Sequence, residues 1–168
     1  INSASGDVAS VFQTIVQKAL RLCEATRGTL RTYDGENFHL AAAAQGEALA
    51  LPGAGQGPSS LFQRFVAGEK IVHLDDVLSS AEYQSNPLVR QGMDAARARS
   101  WLGVSLRKDE SLLGVLSVVR QEVRPFSNQQ IALLQNFAAQ AAIAIENARL
   151  LGDLNQRTGD LQESLEYQ

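Results

Sequence analysis

The chain is poor in the residues that build covalent and metal chemistry: 168 residues hold one cysteine, two histidines, one tryptophan and four prolines, and aromatics make up 6%. Cys23 alone leaves no intrachain disulfide and no cysteine-based zinc cluster. The apolar runs are far shorter than the ~18 residues of a membrane span, so no membrane contact by this stretch is expected. No basic segment followed by an apolar one opens the chain, so no secretory leader is expected either. A surplus of one charge is also missing, with 15 Lys and Arg against 18 Asp and Glu, a net charge of −3. That small excess sits in the tail, where five acids and two bases follow from Glu146 onward. A neutral body without a basic face argues against a nucleic-acid partner. A soluble, cytoplasmic domain with enough chain for its own core remains. It begins with Ile1 and ends inside a helical pattern, and reads as a piece of a longer protein.

What is present is clear periodicity. Val8, Val11, Phe12, Ile15, Ala19, Leu22 and Cys23 recur at steps of mostly three and four, as one helix face does, with Asp7 as a candidate N-cap. Val16 and Leu20 add a second stripe for another partner, and Arg27-Gly28 closes the helix. Thr29–Tyr33 and Phe38–Ala44 flank Asp34-Gly35-Glu36-Asn37, a hairpin signal because Gly accepts the positive φ of a tight turn. Pro52 to Pro58 holds three Gly and two Pro in seven residues and reads as a loop. A short helix from Ser59 to Gly68 and a short strand from Ile71 to Leu74 follow. Residues 79–100 read as loop with short helical pieces. Leu102–Leu106 and Leu112–Val119 form a second, almost wholly apolar hairpin, as central strands covered on both faces do. Its turn, Lys108-Asp109-Glu110-Ser111, lacks Gly and suggests a loop built on a type I turn.

The last helix carries the strongest signals. Ser127 and Gln130 form a capping box, with Phe126 and Ile131 as the hydrophobic staple around it. No proline interrupts the chain from there to Gln168, so one helix of about 40 residues is expected. In its far half Leu151, Leu154, Thr158, Leu161, Leu165 and Gln168 alternate three- and four-residue steps, a heptad seam that needs a second helix. The expected fold is α+β: a mainly antiparallel sheet, first and last helices on one face, and pocket-forming loops and short helices on the other.

Leu102-Gly103-Val104-Ser105-Leu106, Leu112-Leu113-Gly114-Val115-Leu116, Phe126-Ser127 and the run from Gln140 to Leu150 resemble the C-terminal half of a GAF domain. Arg31 to Gly46 and Ile71 to Val77 resemble its N-terminal half, so the resemblance covers roughly residues 7–150. It implies a GAF-like fold related to PAS, and a sensory module of bacterial signalling proteins. Such modules stand before a histidine kinase of a two-component system, a nucleotide cyclase or a similar output domain in the same chain. Residues 1–150 are then the sensory domain, and 151–168 the start of a coiled-coil signalling helix.

Several subtypes of the family do not match. The cyclic-nucleotide subtype has an Asn-Lys pair, a Phe and then Asp-Glu; here Phe126 is followed by Gln130-Ile131, and no Asn-Lys precedes it. Bilin-binding members attach chromophore to a cysteine beyond the middle of the domain, whereas Cys23 lies in the first helix, so covalent bilin is not expected. Relatives that reduce free methionine sulfoxide depend on several cysteines, which removes that enzyme reading.

The candidate ligand-binding residues on the pocket side are Arg31, Tyr33, His73, Tyr83, Arg97, Arg99 and Trp101. Arg90, Arg97, Arg99, Arg107 and Lys108 crowd one interval, and guanidinium forks suit carboxylate or phosphate, so a small anionic ligand is the expectation. The bland readings stand beside these: His39 and His73 as solvated or structural, which argues against haem and against a metal site, and Asp75 as the cap of the turn from Asp76 to Leu78. Trp101 serves equally as a core lid, and Cys23 as a small buried hydrophobe. Val16, Leu20, Leu151, Leu154, Leu161 and Leu165 are the candidate interface of a homodimer. No residue is expected to be catalytic. The alternatives are a ligand-free dimerisation module and, further off, a small-molecule-metabolising enzyme.

Overall fold

The computed structural model describes residues 3–44 and 59–166. The first periodic segment forms α1 (Ser3–Leu22), which starts one turn earlier than expected, so Asp7 lies inside the helix instead of capping it. Its buried stripe is Phe12, Ile15, Val16, Ala19, Leu20 and Cys23. This corrects the proposed interface: Val16 and Leu20 are core residues of the same chain. The helix lies on the sheet with the last helix at its flank, so both stripes are covered internally and only Val11 and Leu22 stay exposed. The helix stops at Leu22, and Glu24 turns the chain with a left-handed φ of 53°. Arg27 and Gly28 therefore begin a strand instead of ending the helix.

Five strands form one antiparallel sheet: β1 (Arg27–Tyr33), β2 (Phe38–Ala44), β3 (Ile71–Leu74), β4 (Ser100–Lys108) and β5 (Ser111–Arg120), in the order β2-β1-β5-β4-β3. Strand alternation separates two cores. Leu30, Leu102, Val104, Leu116 and Val118 face α1 and α5 (Asn128–Glu166). Trp101, Val115 and Val119 face the opposite layer of α2 (Ser60–Val66), a 3-10 turn (Val77–Ser79), α3 (Ala81–Ser85) and α4 (Pro87–Ala96). Strand pairing slips twice among the described residues: Leu30 pairs with Ala42 but Arg31 with Leu40, and Leu106 pairs with Gly114 but Arg107 with Leu112. The extra residue of the second slip, Leu113, reverses the phase of β5, so that Leu113 joins Leu106 and Leu116 in the α1/α5 core and Leu112 packs on the other one. Gly114 is required at this point, since a Cβ would collide with the Arg31 carbonyl of β1.

Two expected loops are more ordered than the sequence reading allowed. Residues 79–100 hold two capped helices: Ser80 accepts from the Tyr83 N–H, and Asn86 Oδ1 accepts from Leu88 and Val89 with Pro87 at the first helical position. The β4–β5 connection is a two-residue loop with Asp109 at φ 56°, a left-handed first position proper to the mirror-image hairpin turns and not to type I. Asp76, and not Asp75, caps the turn after β3. The Pro52–Pro58 stretch lies outside the described residues. The capping box forms as read: Ser127 N–H donates to Gln130 Oε1 at 2.9 Å, and Gln130 N–H to Ser127 Oγ at 3.1 Å. From there α5 runs 39 residues without a break.

Candidate functional site

The seven candidate ligand residues do not gather in one place. Strand parity puts Arg31 on the face of the second core, and Tyr33 and Trp101 share it. A chain of rings crosses that face: Tyr33 to Phe38 at 4.6 Å between centroids, Phe38 to Phe62 at 5.0 Å, and Phe62 edge-on to Trp101 at 6.3 Å. The indole of Trp101 is buried and lies over Gly103, where any Cβ would overlap it. Trp101 is thus core in the first place.

His73 is on the other face. It pairs with Leu102 of the α1/α5 core, and its Nε2 accepts from the Phe126 N–H at 3.1 Å, just ahead of α5. Burial holds its pKa below the ordinary histidine value, with Arg120 pushing the same way and Asp75 opposing. His73 therefore supports the entry to the long helix and takes no part in a site beside Arg31.

The basic interval is largely spent on the fold. Arg90 donates to the carbonyls of Tyr83 and Gln84, and Arg107 to that of Phe65. Arg99 stands 3.8 Å from Asp76. Arg97 is exposed and left-handed at the end of α4, with φ 55°. Tyr83 donates to Asp94 at 2.7 Å. These groups form a rim tied together by its own contacts, which also include Arg64 bridging Glu69 and Glu82.

Arg31 differs from all of them. It is 7% exposed, and no described carboxylate pairs with it. Nη1 donates to Thr29 Oγ1 at 2.8 Å, and Thr29 Oγ1 lies 2.9 Å from Ser117 Oγ. Nε is buried with no acceptor, as is that of Arg99, but Arg99 has the Asp76 carboxylate beside it and Arg31 has none among the described residues. The guanidinium stands 5.4 Å from the Phe62 ring centroid. Loss of hydration lowers its pKa to about 10. Thr29, Ser117, Phe38 and Phe62 are members of this cluster that the sequence reading missed. The period of two in Thr29-Arg31-Tyr33, and a lone Ser117 inside an apolar strand, were the available signals.

Cys23 sits on the opposite side of the sheet in the α1/α5 core, its thiol pushed up to about 11 by burial. A thioether-linked chromophore beside Arg31 does not fit this chain. Among the described residues no cluster of three His, Cys, Asp or Glu could hold a metal ion, and no helix is long and apolar enough to cross a membrane. A shallow groove lies beside α5, lined by Lys70, Arg107, Gln135 and Ala138 among others, and includes none of the seven candidates.

With this layout in view, the family model described as "GAF domain" matches residues 7–145. The chain belongs to the GAF domain family. No curated protein matches it. Solved structures share the fold at low identity. The GAF domain/HD domain protein from Geobacter sulfurreducens is 20% identical, with a TM-score of 0.72 over 88% of this chain and 98% of that one. The blue-light absorbing form of the Thermosynechococcus elongatus PixJ GAF domain is 17% identical, with a TM-score of 0.67 over 97% of each chain. A domain of a two-component sensor histidine kinase protein from Sinorhizobium meliloti is 14% identical, with a TM-score of 0.65 over 88% of this chain and 96% of that one. The GAF family is one of sensory and regulatory modules, and these neighbours share its fold.

Proposed function

We propose that this GAF domain is a non-catalytic sensory module that dimerises along the outer face of α5 and passes a signal through that helix to an output domain in the same chain. The observation that carries the reading is one exposed stripe. Ile143, Leu150, Leu154 and Leu161 follow at steps of seven, four and seven, each about 60% or more exposed on an unbroken helix. Those steps return to the same side of a coiled coil, and Asn147 and Arg157 complete the row at its alternating four- and three-residue steps as the polar positions that set register in such seams. The stripe shares Leu154 and Leu161 with the seam read from sequence, but runs back to Ile143 in the body of the domain. Leu151 flanks it, exposed, and the side chain of Leu165 lies outside the described residues. Exposed Val11 and Leu22 of α1 offer the second copy further apolar surface.

Each leucine buried in a dimer is worth about 1.5–3 kcal/mol, enough for a few of them to offset the cost of association. A helix shared by body and seam gives residues 1–150 a rigid lever into residues 151–168, so a change in the body is passed on as rotation or register. A cytoplasmic setting suits the buried free thiol, and the composition offers neither nucleic acid nor membrane a surface.

The second reading, a ligand-free dimerisation module, is favoured by one observation: Trp101, Phe62 and Phe65 already fill much of the second core. Light scattering separates oligomeric states directly. Leu154→Asp with Leu161→Asp is expected to give a folded monomer, and a dimer that survives both changes would remove the seam from the interface.

A further inference from the structure

Arg31 and Arg120 are both buried guanidiniums, and only one of them is accounted for by the fold. Arg120 donates to the carbonyls of Cys23, Glu24, Arg124 and Pro125 and to Gln130 Oε1. Arg31 has one neutral hydroxyl as acceptor and a buried Nε without any. A buried cation with neither counter-ion nor a full set of acceptors is costly, and folds keep such groups where something else completes them. The completing group must be an acceptor and an anion.

We propose that Arg31 anchors the carboxylate of a small planar, apolar monocarboxylic acid, whose body rests against the rings of Phe62, Phe38 and Tyr33. The inference rests on the sensory reading above and supplies the ligand class that reading leaves open. A single charge decides between acids. The guanidinium is the only cation in this cluster among the described residues, and Thr29 and Ser117 add neutral hydroxyls. A phosphate carrying nearly two charges would call for a second cation, whereas a carboxylate is matched by one fork through two parallel N–H bonds. The ring chain gives the apolar part a surface, and the cation over Phe62 orients the fork across it.

The test watches the group itself. Arginine Nε–H resonances are recorded by nitrogen-15 NMR on the full chain, with Arg31 assigned through Arg31→Met. Benzoate, benzamide and inorganic phosphate are the probes. Benzoate is expected to shift the Arg31 Nε–H saturably while neutral benzamide leaves it in place. Arg31→Met is expected to weaken benzoate binding by at least about thirtyfold in calorimetry, the effect of removing one partner of a buried charge pair. An Nε–H that answers to neither anion overturns the proposal, and one that answers to phosphate more strongly than to benzoate overturns the ligand class. Native mass spectrometry keeps the two readings apart. A small molecule retained equally by wild type and Arg31→Met would uphold the sensor and discard Arg31 as its anchor. A monomeric wild type would sink the dimeric transmitter without touching the NMR result.

Discussion

Arg31 and Arg120 lie on neighbouring strands of one sheet, are buried to a similar degree and stand each over an aromatic ring, Phe62 and Phe126 respectively. Their surroundings are opposite. Arg120 gathers the end of α1, the chain after β5 and the first turn of α5 through five acceptors, and Gln130 serves it while also closing the capping box. It is the knot that fixes where the long helix begins. Arg31 ties no two elements together beyond Thr29 on its own strand. Burial alone therefore says little about what a charged residue does; the number and kind of acceptors separate a structural cation from one with an unmet demand.

The sharpest break of this contrast is Arg120→Met. Four carbonyls and an amide oxygen lose their donor together in a mostly dry site, and hydrogen bonds to a charged group are worth about 1.5–3 kcal/mol each. The expected loss is about 3 kcal/mol or more, read from urea unfolding, with the near-ultraviolet signal of the α1/α5 core weakened as well. A loss below about 1 kcal/mol would mean that water replaces the guanidinium at those carbonyls and that no knot exists.

How much of this was legible beforehand divides along the same line. The sheet hairpins, the capping box and the long helix are local patterns: alternation, a Ser-x-x-Gln box, absence of proline. They formed where the sequence placed them. The short helical pieces expected within residues 79–100 are there, and their bounds are legible in Asn86-Pro87, a cap followed by the one helical position where proline is at home. For Val16 and Leu20 periodicity gives the width of an apolar arc and not what covers it, and the cover is this chain's own core. His73 was misplaced by proximity in sequence to Asp75 and Asp76, when a one-residue step along β3 moves a side chain to the other face of the sheet. Nothing local marks Arg31 as unpaired, because pairing is a property of strands brought together from residues 29 and 117.

The next effect is smaller: Arg31→Met should leave stability within about 1 kcal/mol of wild type or raise it, because an apolar chain of similar length replaces an uncompensated charge. Equilibrium unfolding checks it under the same conditions as Arg120→Met. A loss comparable to that of Arg120→Met would make Arg31 a second structural cation and close the gap between the two.

The smallest expected effect is a dependence on pH that touches the Arg120 side alone. His73 Nε2 accepts the Phe126 N–H, so the ring is neutral with its proton on Nδ1, and protonation would set one N–H against another beside the Arg120 charge. Asp75, 3.4 Å away and largely exposed, offsets part of this but does not reverse it. Because the folded pKa lies below the ordinary value, the unfolded chain binds more protons in the window between the two. The His73 contribution is thus complete above the unfolded value of ~6.5, and erodes as pH falls through that value toward the lower folded one. Wild type should lose urea stability on going from about pH 7.5 to pH 5.5, and His73→Asn should flatten that slope while Arg31→Met leaves it intact. Equal slopes in wild type and His73→Asn would show that the ring nitrogen does not govern how the chain enters α5.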